Sequence, residues 1–264
     1  MLEKALPHWM SRLDSGEVAD VYLVVEPQEY KQHRAWLREQ EWDDWFNIHK
    51  LRSDNRGVNY ARGSIVSKGN RLGLDRLIMA DDDLFPSKQA NVRRLDKVAA
   101  RKDVVGVGAC CSYYGLFIGN DFIKENNNAV LVPGGWGYRM FCIDVAAVLE
   151  LGNYDVKLRS FWGDNDIARC SMSQMGIPWY MHCGVWYSST APRYAPGGIQ
   201  DLYGDSKHRR MFMEGEIHGY LNKKWGDRYI NKPPKRPLCR WKRFLGDYVK
   251  NWESKAPWLK EKAK

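Results

Sequence analysis

Along the first hundred residues, short apolar runs alternate with stretches whose apolar residues recur at helical spacing. "DVYLVVE" (20–26) is a β-branched run and predicts a buried strand. "PQEYKQHRAWLREQ" (27–40) opens on Pro27 and carries Tyr30, Ala35, Trp36 and Leu37, which predicts a helix. "FNIHKL" (46–51) predicts a second strand, and "GVNYARGSIVSKGNRLG" (57–73) sets Tyr60, Ile65 and Val66 at loosely helical spacing. "DRLIMA" (75–80) predicts a third strand. "SKQANVRRLDKVAARK" (87–102) offers Ser87 as an N-cap and a helical face of Val92, Leu95, Val98 and Ala99. "DVVGVGAC" (103–110) is strand-like again.

The second half is less regular. "AVLVPGGWGYRMF" (129–141) predicts a strand running into a glycine-rich turn, and "IDVAAVLELG" (143–152) a short helix stopped at Gly152. "GDNDIARCSMSQMG" (163–176) predicts a helix that opens on acidic residues, and "IPWYMHCGVWYSS" (177–189) a strand. "TAPRYAPGGIQDLYGDSKH" (190–208) has the composition of a mobile loop. No internal repeat is evident. Strands separated by helices predict an α/β fold: a mostly parallel mixed sheet flanked by helices.

Charge divides the chain. Residues 231–264 hold eleven Lys/Arg and three Asp/Glu, a net of +8, while residues 1–230 come to only +1. The expected organisation is a body over 1–230 and a basic, aromatic extension over 231–264. Within the extension "NKPPKRP" (231–237) is extended or polyproline-like. Trp241, Phe244, Leu245, Tyr248, Val249 and Trp252 then recur at helical spacing, with Arg240, Lys242, Arg243 and Lys250 as the basic complement. The stripe suits packing on the body. The cations suit a polyanion, either nucleic acid or an anionic membrane surface, or serve only solubility. Six cysteines without a CxxC pair, no long apolar span and no leader-like N-terminus lead to the expectation of a cytoplasmic protein with reduced thiols.

The stretch with the clearest chemistry is "LIMADDDLFP" (77–86), where an apolar strand ends in Asp81, Asp82 and Asp83. Ligands of an open α/β sheet gather at the carboxyl ends of its strands. Adjacent carboxylates repel, and a divalent cation with hard oxygen ligands relieves that repulsion. Capping of the following helix is the simpler alternative, but it accounts for one aspartate rather than three.

Asp81-Asp82-Asp83 after "RLIMA" resembles the DxD motif of GT-A-fold glycosyltransferases, which hold a nucleotide-diphosphate sugar through Mn²⁺ or Mg²⁺. Three further stretches resemble that family in the same order. "NRGVNYARG" (55–63) is similar to the segment whose arginine contacts the nucleotide, which implies that role for Arg62. "PGGWGYRMF" (133–141) is similar to the glycine-rich acceptor-side turn, with Gly134, Gly135 and Trp136. "FWGDNDIARC" (161–170) resembles the Glu-Asp-x-Asp motif at a helix start, with Gly163 in place of the Glu. The match implies that Asp164 is the catalytic base of an inverting enzyme, with Asp166 and Trp162 on the acceptor side. The resemblance covers roughly residues 20–190 and implies a GT-A-like, Rossmann-like domain.

The same resemblance distributes roles within the triplet. Asp83 holds the metal, Asp81 serves metal or ribose, and Asp82 lies beside the donor. His182 is the implied third metal ligand, with His208 as competitor; a lone histidine beside a strand is more often a core residue. Gly197 and Gly198 of "APGG" have backbone amides suited to phosphate, though an ordinary mobile loop reads the same way. Trp136 and Trp162 suit stacking on sugars or bases, and equally suit core packing.

Within the family, "VVEPQEY" (24–30), the "NRGVNYARG" block and the triplet are most similar to phage TET-associated glycosyltransferases of modified DNA bases. This implies transfer from a nucleotide-diphosphate sugar, commonly UDP-linked, to a hydroxymethylated pyrimidine such as 5-hydroxymethylcytosine, in an infected bacterial host. Two alternatives stand beside it. One is a membrane-bound transferase acting on an envelope polysaccharide or glycolipid; the other is an inactive DNA-binding module of the same fold. The chain departs from the family at its start, where "LEKALPHWMSRL" reads as the helix that follows the family's first strand. The expectation is a donor pocket with one wall missing or divergent. Oligomeric state is not legible.

Overall fold

The computed structural model describes residues 2–53, 56–88, 90–102, 104–111, 124–125, 129–132, 139–159, 163–175, 177, 179–189, 215–217, 219–221 and 223–224. The chain divides into two compact units, Met1–Thr190 and Ala191–Lys264. In the second, the described residues are helical, with Ile217 and Leu221 buried. The expected loop over 190–208 and the basic extension lie outside the described residues.

In the first unit the elements run α1 (Leu2–Asp14), β1 (Tyr22–Val25), α2 (Tyr30–Glu39), β2 (Asn47–Lys50), α3 (Val58–Arg71), β3 (Arg76–Ala80), β4 (Leu84–Pro86), α4 (Arg93–Ala99) and β5 (Gly106–Cys111). Then come β6 (Lys124–Glu125), β7 (Ala129–Val132), β8 (Met140–Asp144), α5 (Val145–Glu150), a 3₁₀ turn (Val156–Leu158), α6 (Gly163–Cys170) and β9 (Trp179–Ser189). A π-helical turn, Ser171–Met175, continues α6. The α/β class follows as expected from the alternation of strand and helix.

The pairing of the strands differs from the expected mostly parallel sheet. Among the described residues, β1 pairs with β2 and β5 with β9 in parallel. The other five pairings are antiparallel: β3–β8, β4–β9, β5–β8, β6–β7 and β7–β9. The physical cause is β8. Met140, Phe141, Cys142 and Ile143 are fully buried, and this short run inserts antiparallel between β3 and β5, which run in the same direction. Sequence periodicity reports that a strand is buried, not which way its neighbours run. The predicted helix over 143–152 accordingly starts later. Asp144 ends β8 and caps α5, its carboxylate accepting from the Ala147 amide at 2.8 Å.

β1 and β2 form a sheet separate from the larger one. α3 covers both. Ser64 contacts His49 of β2 at 2.8 Å, Lys68 lies 4.3 Å from the Tyr22 ring of β1, and Gly69 faces Leu77 of β3. A Cβ at Gly69 would stand 2.9 Å from Leu77, so the glycine sets how closely helix and strand approach.

The core lies between the large sheet and α4, with Leu95, Ala99, Val107, Phe141 and Trp179 buried. α4 begins at Arg93, later than a Ser87 cap predicts. The Ser87 carbonyl accepts instead from Arg12 at 2.9 Å, and the Val92 amide donates to the Glu17 carboxylate at 3.0 Å. The acceptor for the Val92 amide, just ahead of the helix, lies seventy-five positions away, while the first helical amide, that of Arg93, donates to Asn91 Oδ1 at 3.0 Å.

Candidate functional site

The apolar run of β3 ends at Ala80, and the chain turns back immediately. The Leu84 amide donates to the Asp81 carbonyl at 3.0 Å, closing a β-turn through Asp82 and Asp83 before β4 begins. β4 then pairs with the far end of β9, Leu84 opposite Ser189. α1 holds this turn from outside. Trp9 donates its indole N–H to the Leu84 carbonyl at 3.1 Å, and His8 stacks on Phe85 at 4.0 Å. The three aspartates thus cap a strand and form the turn to the next, rather than opening a helix.

Two arginines converge on the turn. The Asp81 amide donates to the Arg139 carbonyl at 3.1 Å, just beyond the Ala80–Met140 rung of the β3–β8 ladder. The Arg139 guanidinium then reaches both outer carboxylates. Its Nε donates to Asp81 Oδ2 at 2.9 Å and its Nη2 to Asp83 Oδ1 at 2.5 Å. Arg62 of α3 donates to Asp81 Oδ1 at 3.3 Å and lies over the Phe141 ring at 5.2 Å. Asp83 is buried, its side chain 6% exposed, against 30% for Asp81 and 42% for Arg139. Burial by itself would lower the Arg139 pKa; the hydrogen bonds it donates to Asp83 and Asp81 overcome this and raise it. Asp82 is exposed on the turn. Even so, partial loss of water, and then the charges of Asp83 and Asp81, push its carboxyl pKa up.

The donor set of Asp81 and Asp83 suits a hard divalent cation. Both ligands are carboxylate oxygens, and the pair already draws a positive group onto itself. Mg²⁺-type ions are commonly held by one or two carboxylates, with water and substrate phosphates completing the shell. Among the described residues, no group of three or more His, Cys, Asp or Glu is disposed to hold a metal. Asp81, Asp83 and His182 therefore do not form such a group. His182 is buried in β9, opposite Ala109 of β5 and Ala129 of β7, where the β5–β9 register shifts. Its pKa is lowered by burial and then by Arg94, which keeps the ring neutral. This is a core environment.

The second acidic motif opens α6. Asp164 and Asp166 fall in the first turn and are both buried, at 6% and 2% exposure. Carboxylates there are favoured by the helix dipole. Gly163 has a specific cause. The Asn59 side chain of α3 occupies the space a Cβ at 163 would need, and the Asn59 amide donates to the Arg159 carbonyl at 2.7 Å. Gly163 is thus paired with a buried asparagine from the "NRGVNYARG" block.

Tyr154 is buried where charge from both Arg62 and Asp164 reaches it. Its hydroxyl is buried and makes no hydrogen bond. Burial raises the phenol pKa, Arg62 lowers it and Asp164 raises it further. Arg62 and Asp164 thus both act electrostatically on one phenol, and Arg62 is itself bonded to Asp81.

Asp81, Asp82, Asp83 and Arg62 are therefore placed together. Asp164 and Asp166 share one helix start. Gly134, Gly135, Trp136, Trp162, Gly197, Gly198, His208, Arg240, Lys242, Arg243 and Lys250 lie outside the described residues. Sequence reasoning missed Arg139, Asn59 and Tyr154. Arg139 and Asn59 lie inside the motif blocks already singled out, and an arginine one residue before an apolar run was the available signal for Arg139. No signal marked Tyr154.

Solved structures with this fold include two glycosyltransferases. The mannosyltransferase PcManGT from Pyrobaculum calidifontis, solved with GDP-Man and Mn²⁺, superposes with a TM-score of 0.54 at 13% identity, over 90% of this chain and 64% of that one. GalNAc-T7, solved with UDP, GalNAc and Mn²⁺, gives 0.56 at 13% identity, over 94% of this chain and 52% of that one. The fold is that of the GT-A glycosyltransferases. The chain spans less than two thirds of the length of either structure. No protein-family model matches the sequence, and no curated protein matches it.

Proposed function

We propose that the protein is a metal-dependent glycosyltransferase that moves a sugar from a nucleotide-diphosphate donor to a hydroxymethylated pyrimidine in DNA. The observation that carries the transferase reading is the acidic turn at the carboxyl end of β3, where Asp81 and Asp83 jointly hold one cationic group. Structures of the same fold bind nucleotide sugars or their parts with Mn²⁺. Bound at Asp81 and Asp83, Mn²⁺ or Mg²⁺ would supply charge to offset the leaving diphosphate.

The chain's own residues do the rest. Asp83, buried and fixed by the turn, anchors the donor end. Arg62, held by Asp81 and seated on Phe141, contacts the nucleotide. Asp164 takes the proton from the acceptor hydroxyl as that oxygen attacks the anomeric carbon with inversion. Asp166 lies on the acceptor side of the same helix start.

The choice of DNA rests on charge. Residues 231–264 carry a net +8. A cleft of about 600 Å³ between α2 and β2 adds Lys31, Arg34, Arg38 and Lys50 beside Tyr30. Cations so placed suit a phosphate backbone. The test is mass spectrometry of hydroxymethylated DNA incubated with the protein, Mn²⁺ and a panel of nucleotide sugars. A hexose-sized mass gain on the DNA supports the reading. No gain with any donor, together with transfer to a glycan or glycolipid, overturns the DNA acceptor.

A further inference from the structure

Arg139 donates to one oxygen of each of the two carboxylates that would hold a metal at this turn. Its Nε and Nη2 form one edge of the guanidinium, and that edge faces Asp81 Oδ2 and Asp83 Oδ1 side by side. A divalent ion held by the same two carboxylates would stand beside that guanidinium, and the two positive charges repel at short range. The arginine is not locked in the core, since its side chain is 42% exposed. Its backbone is fixed by the Asp81 amide, so only the side chain needs to swing. Once displaced, the guanidinium carries its charge at the mouth of a site built for a diphosphate, a group that it binds bidentately.

We infer that Arg139 is shared between two partners: it neutralises Asp81 and Asp83 before metal binds and grips the donor diphosphate once metal takes the carboxylates. This inference rests on the metal-dependent transferase reading above. It makes metal and donor binding interdependent, because the diphosphate accepts the cation that the metal expels. The residue is then a donor-binding group as well as a brake on metal binding without donor.

The two roles predict opposite effects of one substitution. In Arg139→Gln, Mn²⁺ titrated alone and followed by loss of its free-ion paramagnetic resonance signal should bind about tenfold tighter than in the unaltered protein. UDP and GDP, titrated calorimetrically at saturating Mn²⁺, should then bind about tenfold weaker for whichever nucleotide the protein prefers. Arg139→Lys keeps the charge without the fork and should fall between. A merely structural role would weaken both ligands together, and that result overturns the inference. So does Mn²⁺ binding equal in all three proteins, which leaves the metal reading standing. Absence of Mn²⁺ binding in every protein, with or without nucleotide, overturns both.

Discussion

The side chain of Asn59 fills the space that any Cβ at Gly163 would need. One residue belongs to α3, ahead of the acidic turn, and the other opens the helix that carries Asp164. The pair locks the two halves of the site together from sequence positions more than a hundred apart.

Gly163→Ala should therefore destabilise the protein by about 1–3 kcal/mol, the usual range for overpacking a filled site. Gly163→Glu, with its larger side chain, should cost more. Combining Gly163→Ala with Asn59→Ala should recover part of the loss, so the two effects will not add. Urea denaturation of the four proteins in a double-mutant cycle checks this.

Asp82 should be the expendable member of the triplet for stability. Its folded pKa is raised, so the ionised form is disfavoured on folding and the cost applies at pH values above that pKa. Asp82→Asn should raise the melting temperature at pH 7, and the gain should vanish as the pH falls toward the ordinary carboxylate range. The effect should be modest, because the side chain is exposed and solvent screens it. Thermal melts at several pH values read it directly.

Much of this was legible beforehand, and the exceptions share a cause. The third strand, its acidic end and the helix carrying Asp164 follow from local patterns: an apolar run, a charge cluster and an acidic helix start. The late start of α4 did not, because the Val92 amide just ahead of it is satisfied by Glu17, and no local pattern reports so distant a partner. The antiparallel insertion of β8 escaped for the same reason. His182 looked like a ligand because histidines near acidic motifs often are; its setting, between two alanines on neighbouring strands, is a matter of register. Arg139 was visible as a residue but not as a partner, since its position opposite Asp81 exists only once β3 and β8 pair.

Tyr154→Phe should be neutral or stabilising, by up to about 1 kcal/mol, because it removes a buried hydroxyl that has no hydrogen bond. If the hydroxyl instead meets bound substrate, the same variant will show a raised KM with unchanged stability. Chemical denaturation alongside donor titration separates the two.

Acid should destabilise the fold through buried His182 and half-buried His49. His182 and His49 both have folded pKa values lowered from 6.5, each by burial first and then by nearby cations, Arg94 for the former and Lys68 and Arg71 for the latter. The unfolded chain binds those protons more readily, so stability is full above about pH 6.5 and declines as the pH falls through that value. His182→Gln should flatten the decline between pH 7 and pH 5, leaving the His49 part. Urea midpoints across that interval measure it.

The central claim is that two acidic motifs divide the labour of glycosyl transfer, Asp83 on the donor and Asp164 on the acceptor. The most direct measurement is release of nucleoside diphosphate from a panel of nucleotide sugars in the presence of hydroxymethylated DNA and Mn²⁺. The unaltered protein should turn over one donor, and chelation of the metal should stop it. Asp83→Asn should lose both turnover and metal-dependent donor binding, whereas Asp164→Asn should lose turnover and still bind donor. Turnover that survives Asp164→Asn, or that is indifferent both to chelation and to Asp83→Asn, would contradict the account.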